Sequence, residues 1–339
     1  MPDSTKSIQT SIIVPCYNEK ATIHILLDAL YEQTYPRDAM EVVIADGMSN
    51  DGTLDAIQAW KNQHPDLSVT VVENHARVIP AALNTAIKAS KGAIIVRLDA
   101  HSRPDPHYVE RSVTALAEGR GQNVGGVWDI QPGSDHWMAR SIAVAAGHPI
   151  GVGDAKYRYS DQAGYVDTVP FGAFTRELLT QVGLFDETLL SNEDYEFNAR
   201  IRQAGGKIWF DPQIRTVYYA RQNLAELARQ YWRYGFWKVH MLKRYPSTIR
   251  WRQALPPLFV AGLVVLILLS PFTRWAGYGL AGILAVYSIT LFLAGLHLSV
   301  KHKTVVYVLG APLAIACMHL SWGAGFLWGM ISPQQRKTG

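Results

Sequence analysis

The chain has 339 residues, 48% of them hydrophobic and only 18% charged, against roughly 25% charged in an ordinary soluble domain. Its net charge of +4 gives no reason to expect a nucleic-acid partner. Its two cysteines, Cys16 and Cys317, lie in such different surroundings that a disulfide framework is not expected, which fits a cytosolic catalytic part. The shortage of charge is local: Arg274 is the only charged residue between Leu255 and Leu298, and there is none between Thr304 and Met330. The chain opens on a polar stretch, and the apolar run after it is short and broken by Pro15 and Asn18. No signal peptide is expected, and the chain is expected to start in the cytoplasm.

Residues 11–15 read as a buried strand, followed by a turn at Cys16-Tyr17-Asn18-Glu19. Residues 21–33 carry Ile23, Leu26, Leu27 and Leu30 on one helix face. A second strand over 41–45 ends at Asp46-Gly47, and Asp51 or Thr53 is placed to cap a helix running to Trp60. A strand over 68–72 and a helix over 80–90, closed by Gly92, lead to a fourth strand over 93–98. This β-α alternation predicts an α/β fold with a parallel sheet and right-handed crossovers. Neither a Gly-x-Gly-x-x-Gly nor a P-loop pattern follows any strand, so a ligand here is met by acids at strand ends.

The fourth strand runs Ile94-Ile95-Val96-Arg97-Leu98 and then meets Asp99-Ala100-His101. Ligand crevices in such sheets lie beyond the carboxyl ends of the strands. If the backbone stays extended, Asp99 and His101 point the same way and can face one divalent cation. The other reading is a strand ending in ordinary turn residues, and the eight residues alone leave both open.

Several motifs in order carry a resemblance. Val14-Pro15-Cys16-Tyr17-Asn18-Glu19, Ala45-Asp46-Gly47-Met48-Ser49-Asn50-Asp51-Gly52-Thr53 and Leu98-Asp99-Ala100-His101 resemble the nucleotide-sugar motifs of family 2 glycosyltransferases with the GT-A fold. Gly172-Ala173-Phe174, Val182-Gly183-Leu184-Phe185-Asp186-Glu187 and the run Asn192-Glu193-Asp194-Tyr195-Glu196-Phe197-Asn198-Ala199-Arg200-Ile201 continue it. The likeness covers roughly residues 12–244 and is nearest to the ExoA-like enzymes of bacterial exopolysaccharide synthesis. It implies a GT-A (Rossmann-like nucleotide-diphospho-sugar transferase) domain over 1–222. Pro15, Tyr17, Glu19, Asp46, Asp51, Arg97 and Asp99 are then expected to hold the donor nucleotide sugar. A carboxylate accepting from a base N–H and a tyrosine ring stacking on the base suit that task. Asp99, with His101 in place of the family's usual second acid, is expected to bind a divalent metal, Mn or Mg. Asp194 is expected to take the proton from the acceptor hydroxyl, with Glu193 in support and direct, inverting attack at the anomeric carbon. As acids in the first turn of a helix over 192–203, capped by Asn192 or Ser191, they face a positive helix end that favours their ionised forms. Gly172 and Ala173 are expected near the acceptor or its diphosphate.

Residues 223–254 are dense in bases and aromatics and suit a helix at a membrane surface. There Arg229, Trp232 and Arg233 are placed to meet lipid headgroups or an acceptor diphosphate. Gln230-Tyr231-Trp232-Arg233-Tyr234 departs at its last residue from the Gln-x-x-Arg-Trp motif of processive synthases. Three apolar segments follow within 255–331: a short one over 255–270, one over 276–298, and one over 304–331 whose Pro312, His319 and glycines suggest a broken or re-entrant path. The basic loop Lys301-His302-Lys303 is expected on the cytoplasmic side. The reading is a multi-pass protein of the bacterial inner membrane with a cytoplasmic catalytic domain. Its expected partners are a nucleotide sugar (a UDP-hexose, with glucose as default), a polyprenyl-diphosphate-linked sugar acceptor, and membrane lipids. The alternatives are a processive polysaccharide synthase and a non-enzymatic sugar-binding membrane scaffold.

Overall fold

The computed structural model describes residues 8–332; the polar start and the basic tail beginning at Gln334 lie outside the described residues. Two compact units form. The first takes the chain through Asp129 and again over Ser160–Tyr218. It opens with β1 (Thr10–Cys16), α1 (Ile23–Tyr31), β2 (Met40–Asp46), α2 (Thr53–Gln63), β3 (Ser68–Glu73), α3 (Ile79–Ala89) and β4 (Ile94–Arg97). β5 (Arg103–Pro104), α4 (Tyr108–Ala117) and β6 (Asn123–Pro132) follow. After α5 (Trp137–Ala146) and α6 (Pro149–Val152), which belong to the second unit, come β7 (Gly164–Val166), β8 (Ala173–Thr175), α7 (Leu178–Val182), α8 (Glu193–Gln203) and β9 (Ile208–Ala220).

The strand order is β3-β2-β1-β4-β8-β6-β9-β5, with β7 pairing on β9. The first four strands are parallel, as their alternation with helices predicts, and β8 then joins β4 antiparallel. Ile12, Ile13, Val14, Val42, Val43, Ile44, Ile95 and Val96 are all fully buried because helices cover both faces. Each such side chain contributes about 1.5–3 kcal/mol of transfer free energy. Gly92 does not close α3, which stops at Ala89 on an extended Ser90. It serves close approach instead: a Cβ there would fall 2.7 Å from the backbone N of Ser11. The expected cap of α2 is also refined. Asp51 Oδ1 accepts from the backbone N of Thr53 at 3.0 Å, while the cap position itself is the left-handed Gly52.

The second unit takes Ile130–Tyr159 and the described chain from Tyr219 onward. Its long elements are α9 (Leu224–Arg244), α10 (Trp251–Leu269), α11 (Arg274–Lys301) and α12 (Tyr307–Ile331). The last three are long and apolar enough to cross a membrane, with mean hydropathies of 1.9, 2.0 and 1.3. The 28 residues of α11 rise about 42 Å, more than the ~30 Å hydrocarbon layer. Two expectations are corrected. The first segment, expected to be short and to begin at residue 255, gains its length by starting at Trp251. The third segment is one unbroken helix across Pro312. Its glycines are packing surfaces, not breaks: added Cβ atoms at Gly323 and Gly325 would lie 2.5 Å from the Pro256 carbonyl oxygen and 2.2 Å from that of Trp232. Small residues let neighbouring backbones approach this closely. α9 accordingly lies along α12, burying Leu227, Tyr231 and Gly235 and leaving Arg229, Trp232 and Arg233 exposed.

Candidate active site

The site grows from the end of β4. Arg97 is the strand's last residue, its backbone N donates to the Gly172 carbonyl at 3.1 Å, and its side chain is only 3% exposed. A buried guanidinium must be paired, and this one meets three carboxylates. Nη2 donates to Asp99 Oδ1 at 3.2 Å and to Glu193 Oε1 at 3.0 Å, and Nη1 donates to Asp194 Oδ1. The Phe171 ring lies 5.6 Å below it. Burial works against the guanidinium's charge, but Asp194, Asp99 and Glu193 outweigh it and hold its pKa above the ordinary value. The acid following β4 and the two acids opening α8 thus share one cation. Arg97, expected among the donor-binding residues, has its guanidinium buried among these acids.

α8 is held where its first turn can do this. Phe197 stacks on Phe185 at 4.6 Å and packs on Phe174 at 4.9 Å. The buried Glu196 takes a fork from Arg200 at 2.6 and 2.8 Å, and Arg200 also donates to the Leu184 carbonyl at 2.9 Å. Asn198, fully buried, accepts from Asn123 and donates to the Val169 carbonyl. Asn192, one of the two expected caps, does occupy the cap position, but in a left-handed conformation and without a capping side-chain hydrogen bond. Asp194 differs too. Burial, with Glu193 and Asp99 nearby, pushes its carboxyl up to about 7 against the pull of Arg97. Desolvation outweighs the helix-end field that was expected to favour ionisation.

Asp99 and His101 do not form the extended pair. β4 ends at Arg97, and a turn begins at Asp99, whose carbonyl accepts from the backbone N and Oγ of Ser102 at 2.9 and 2.6 Å. His101 Nδ1 instead lies 3.0 Å from Glu19 Oε1. Burial pushes the Glu19 carboxyl up, but hydrogen bonds from His101 and Thr22 outweigh it and hold it below the usual range. Among the described residues, no three His, Cys, Asp or Glu side chains gather closely enough to hold an ion unaided.

The loops after β1 and β2 are stitched together. Asn18 N donates to Ser49 Oγ, Glu19 N to Thr53 Oγ1, and Lys20 N to Asp51 Oδ2, at 2.8, 2.9 and 3.1 Å. Asp46 accepts from Ser49 N and Oγ at 2.9 and 2.6 Å, so this buried acid first of all builds its own turn. Pro15 is half-buried within β1, opposite Ala45. Tyr17 is 50% exposed, with its ring against Gly47. Beside Asp46 opens a cavity of about 560 Å³ lined by Ser49, Leu54, Ile57, Glu73 and Arg77. The Cys16 thiol, pushed up to about 12 by burial and then by Asp46, Glu19 and Asp51, is inert there.

Backbone strain collects at the same place. Among the described residues six non-glycines adopt positive φ: Asn18, Met48, Arg77, Phe171, Asn192 and Lys303. The first three lie in or beside the loops just described, Phe171 carries Arg97, and Asn192 precedes Glu193. Such outliers persist where surrounding structure over-determines them, commonly at functional sites.

Gly172 and Ala173, expected near the acceptor or its diphosphate, are both buried. Ala173 is buried between β4 and β6, and a Cβ at Gly172 would lie 2.1 Å from Asn123 Oδ1. Arg77 and Phe171 were not anticipated, and Glu196, Asn198 and Arg200, although inside the matching run, were given no role. The i, i+4 spacing of Glu196 and Arg200 is readable in sequence; the strained conformations of Arg77 and Phe171 are not.

The family model for "Glycosyl transferase family 2" matches residues 11–183. The chain is 30% identical to the succinoglycan biosynthesis protein ExoA of Rhizobium meliloti over 99% of both chains. It is 26% identical to a dolichyl N-acetyl-alpha-D-glucosaminyl phosphate 3-beta-D-2,3-diacetamido-2,3-dideoxy-beta-D-glucuronosyltransferase of Methanococcus voltae, over 95% of this chain and 97% of the other. The fold resembles that of the mannosyltransferase PcManGT of Pyrobaculum calidifontis, solved with GDP-Man and Mn2+, at a TM-score of 0.61 and 24% identity, covering 97% and 89% of the two chains. It also resembles TarS residues 1–349 of S. aureus, solved with UDP, at 0.53 and 16%, covering 94% and 90%.

Proposed function

Because this chain belongs to glycosyl transferase family 2, we propose that it is a membrane-anchored inverting transferase that adds one hexose from a UDP-sugar to a polyprenyl-diphosphate-linked acceptor. The observation that carries this reading is the meeting of Asp99, Glu193 and Asp194 on one guanidinium. It brings a phosphate-side acid and a base candidate to one place at the carboxyl end of a parallel strand.

The donor's base lies in the cavity beside Asp46, with Tyr17 and Arg77 as exposed edges, and its diphosphate reaches toward Asp99. Three carboxylates against one guanidinium leave a net charge of −2, which suits a divalent cation. One protein carboxylate, completed by diphosphate oxygens and water, is an ordinary donor set for Mg²⁺ or Mn²⁺. Asp99 would fill that role, while the His101 ring is held by Glu19. When bound, the metal offsets charge growing on the departing diphosphate. Asp194, 21% exposed, accepts the proton of the incoming hydroxyl, whose oxygen forms the new bond to the anomeric carbon as the diphosphate leaves. A base with its pKa near neutral suits that step better than an ordinary aspartate.

α10 to α12 cross the membrane, and the exposed Arg229, Trp232 and Arg233 of α9 meet headgroups or the acceptor's diphosphate. With Lys301-His302-Lys303 cytoplasmic, the catalytic unit faces the cytoplasm of a bacterium. The lipid-linked acceptor follows the names of two relatives. One is the Methanococcus dolichyl-linked enzyme; the other is an E. coli glucosyltransferase acting on alpha-D-GlcNAc-diphosphoundecaprenol, 34% identical over 26% of this chain. The test is the protein in lipid nanodiscs with undecaprenyl-diphosphate-linked sugars and a panel of UDP-glucose, UDP-galactose, UDP-N-acetylglucosamine and GDP-mannose. One UDP-sugar consumed with a product one residue longer is expected. A ladder of long products, or no transfer from any donor, overturns the reading.

A further inference from the structure

We propose that Arg97 is a positioning residue that sets the metal-side acid and the catalytic base in one fixed geometry, without touching the donor. The inference rests on the roles given above to Asp99 and Asp194. Three observations carry it. First, the guanidinium is only 3% exposed and both terminal nitrogens are spent on carboxylates: Nη2 on Asp99 and Glu193 at 3.2 and 3.0 Å, Nη1 on Asp194. No face is left for a sugar or a phosphate. Second, the partners lie 2, 96 and 97 residues further along the chain than Arg97. One rigid fork therefore ties the turn after β4 to the first turn of α8.

Third, the surrounding structure is built to aim that fork. The Gly172 carbonyl accepts from Arg97 N at 3.1 Å, and the Phe171 ring lies 5.6 Å from the guanidinium. Phe171 is held at a φ of +50°, a conformation rare for a bulky residue. Its carbonyl accepts from the buried Tyr108 hydroxyl at 3.0 Å. Arg97 Nε is buried with no hydrogen-bond partner. A buried donor is seldom left so; here the side chain forgoes that bond while both Nη groups reach the acids.

A lysine cannot replace this. Its ammonium is a single point of charge, whereas the planar guanidinium fixes several partners at set angles. Arg97→Lys therefore keeps the charge that offsets three carboxylates but loses their mutual orientation. A misplacement of about 1 Å in a catalytic arrangement costs on the order of 100-fold in rate.

The test compares wild type and Arg97→Lys in nanodiscs by three readouts: thermal unfolding, affinity for UDP with Mn²⁺ by calorimetry, and kcat per UDP-binding site. The expected result is near-wild-type unfolding, UDP–Mn²⁺ affinity within about threefold, and kcat lowered about 100-fold. Loss of UDP affinity in step with activity would make Arg97 a donor contact and overturn the proposal. An unchanged kcat per binding site would make it purely structural and overturn it as well. Should Arg97→Lys fail to fold, the double variant Arg97→Met/Glu193→Gln removes one charge of each sign and keeps the cluster's net charge. It is expected to bind UDP with kcat still depressed, and wild-type kcat in it refutes the role. A wild-type protein inactive with every donor would instead sink the underlying functional reading, so the two failures are distinguishable.

Discussion

Asp194→Asn keeps the shape of the side chain and removes its capacity to take a proton. A positioned general base is worth ~10²–10⁴-fold, or about 2.7–5.5 kcal/mol of barrier, so turnover should fall by that factor while UDP binding is nearly unchanged. The same substitution has a stability signature of opposite sign. Burial raises the Asp194 carboxyl from 3.8 to about 7, which in a dry site corresponds to about 4 kcal/mol. With the side chain 21% exposed, roughly half of that, about 2 kcal/mol, is a reasonable expectation. Because the folded pKa is raised, the folded protein prefers the neutral acid. The ionised form costs stability fully above pH 7, and that cost disappears as pH falls toward 4. Asparagine is neutral throughout, so the variant should melt higher than wild type at pH 8, by about 2–4 °C per kcal/mol, and equally near pH 4. Wild-type kcat/KM should rise with pH and level off above about 7, while the variant's residual rate stays flat across that range. The assay is initial-rate transfer from pH 5.5 to 9 beside thermal unfolding at pH 4 and pH 8. Turnover within tenfold of wild type, or a variant less stable at pH 8, refutes the assignment.

Asp99→Ala should abolish the Mn²⁺-dependent part of UDP affinity and leave metal-free binding unchanged, by calorimetry with and without chelator; undiminished metal dependence places the ion elsewhere. Gly126→Ala puts a methyl 1.6 Å from the Ile214 carbonyl oxygen, a clash that parting β6 from β9 relieves at ~3 kcal/mol or more; it should be degraded rapidly in pulse proteolysis. The full chain should stay with membranes after alkaline carbonate extraction, given three helices of 19, 28 and 25 apolar-rich residues; release into the supernatant refutes spanning.

The parallel half of the sheet was legible because its strands are short β-branched runs separated by helical periodicity, and both signals act locally. The antiparallel half was not. β8 is three residues long and β5 two, too short for any period, and their places are set by partners in β4 and β9 that lie 77 to 114 residues away. The glycines of α12 read as breaks because sequence gives their helix cost but not their benefit. The benefit appears only when another backbone approaches within van der Waals contact, as Trp232 does at Gly325. Asp99 and His101 were expected in register because the apolar run continues through Leu98. The strand's paired register ends one residue earlier, at Arg97 opposite Ile13, and the turn at Asp99 closes on Ser102.

Arg97 carried a signal that motif matching passes over. Within Ile94-Ile95-Val96-Arg97-Leu98 it is a charge inside a stretch otherwise fit only for burial. A charge of that kind is almost never fully buried unless paired, so the sequence already demanded carboxylates from elsewhere in the chain. Asp99 is too close along the backbone to satisfy a whole guanidinium, so the remaining partners had to arrive on a separate element. Acids concentrated in the first turn of a helix with an aromatic buried face were the available candidates, and Glu193-Asp194 ahead of Phe197 fits that description. Read this way, the pairing of strand end and helix start follows from the cost of an unpaired buried charge, independently of any family resemblance. That is why the guanidinium, more than either acid, is the place to perturb the site.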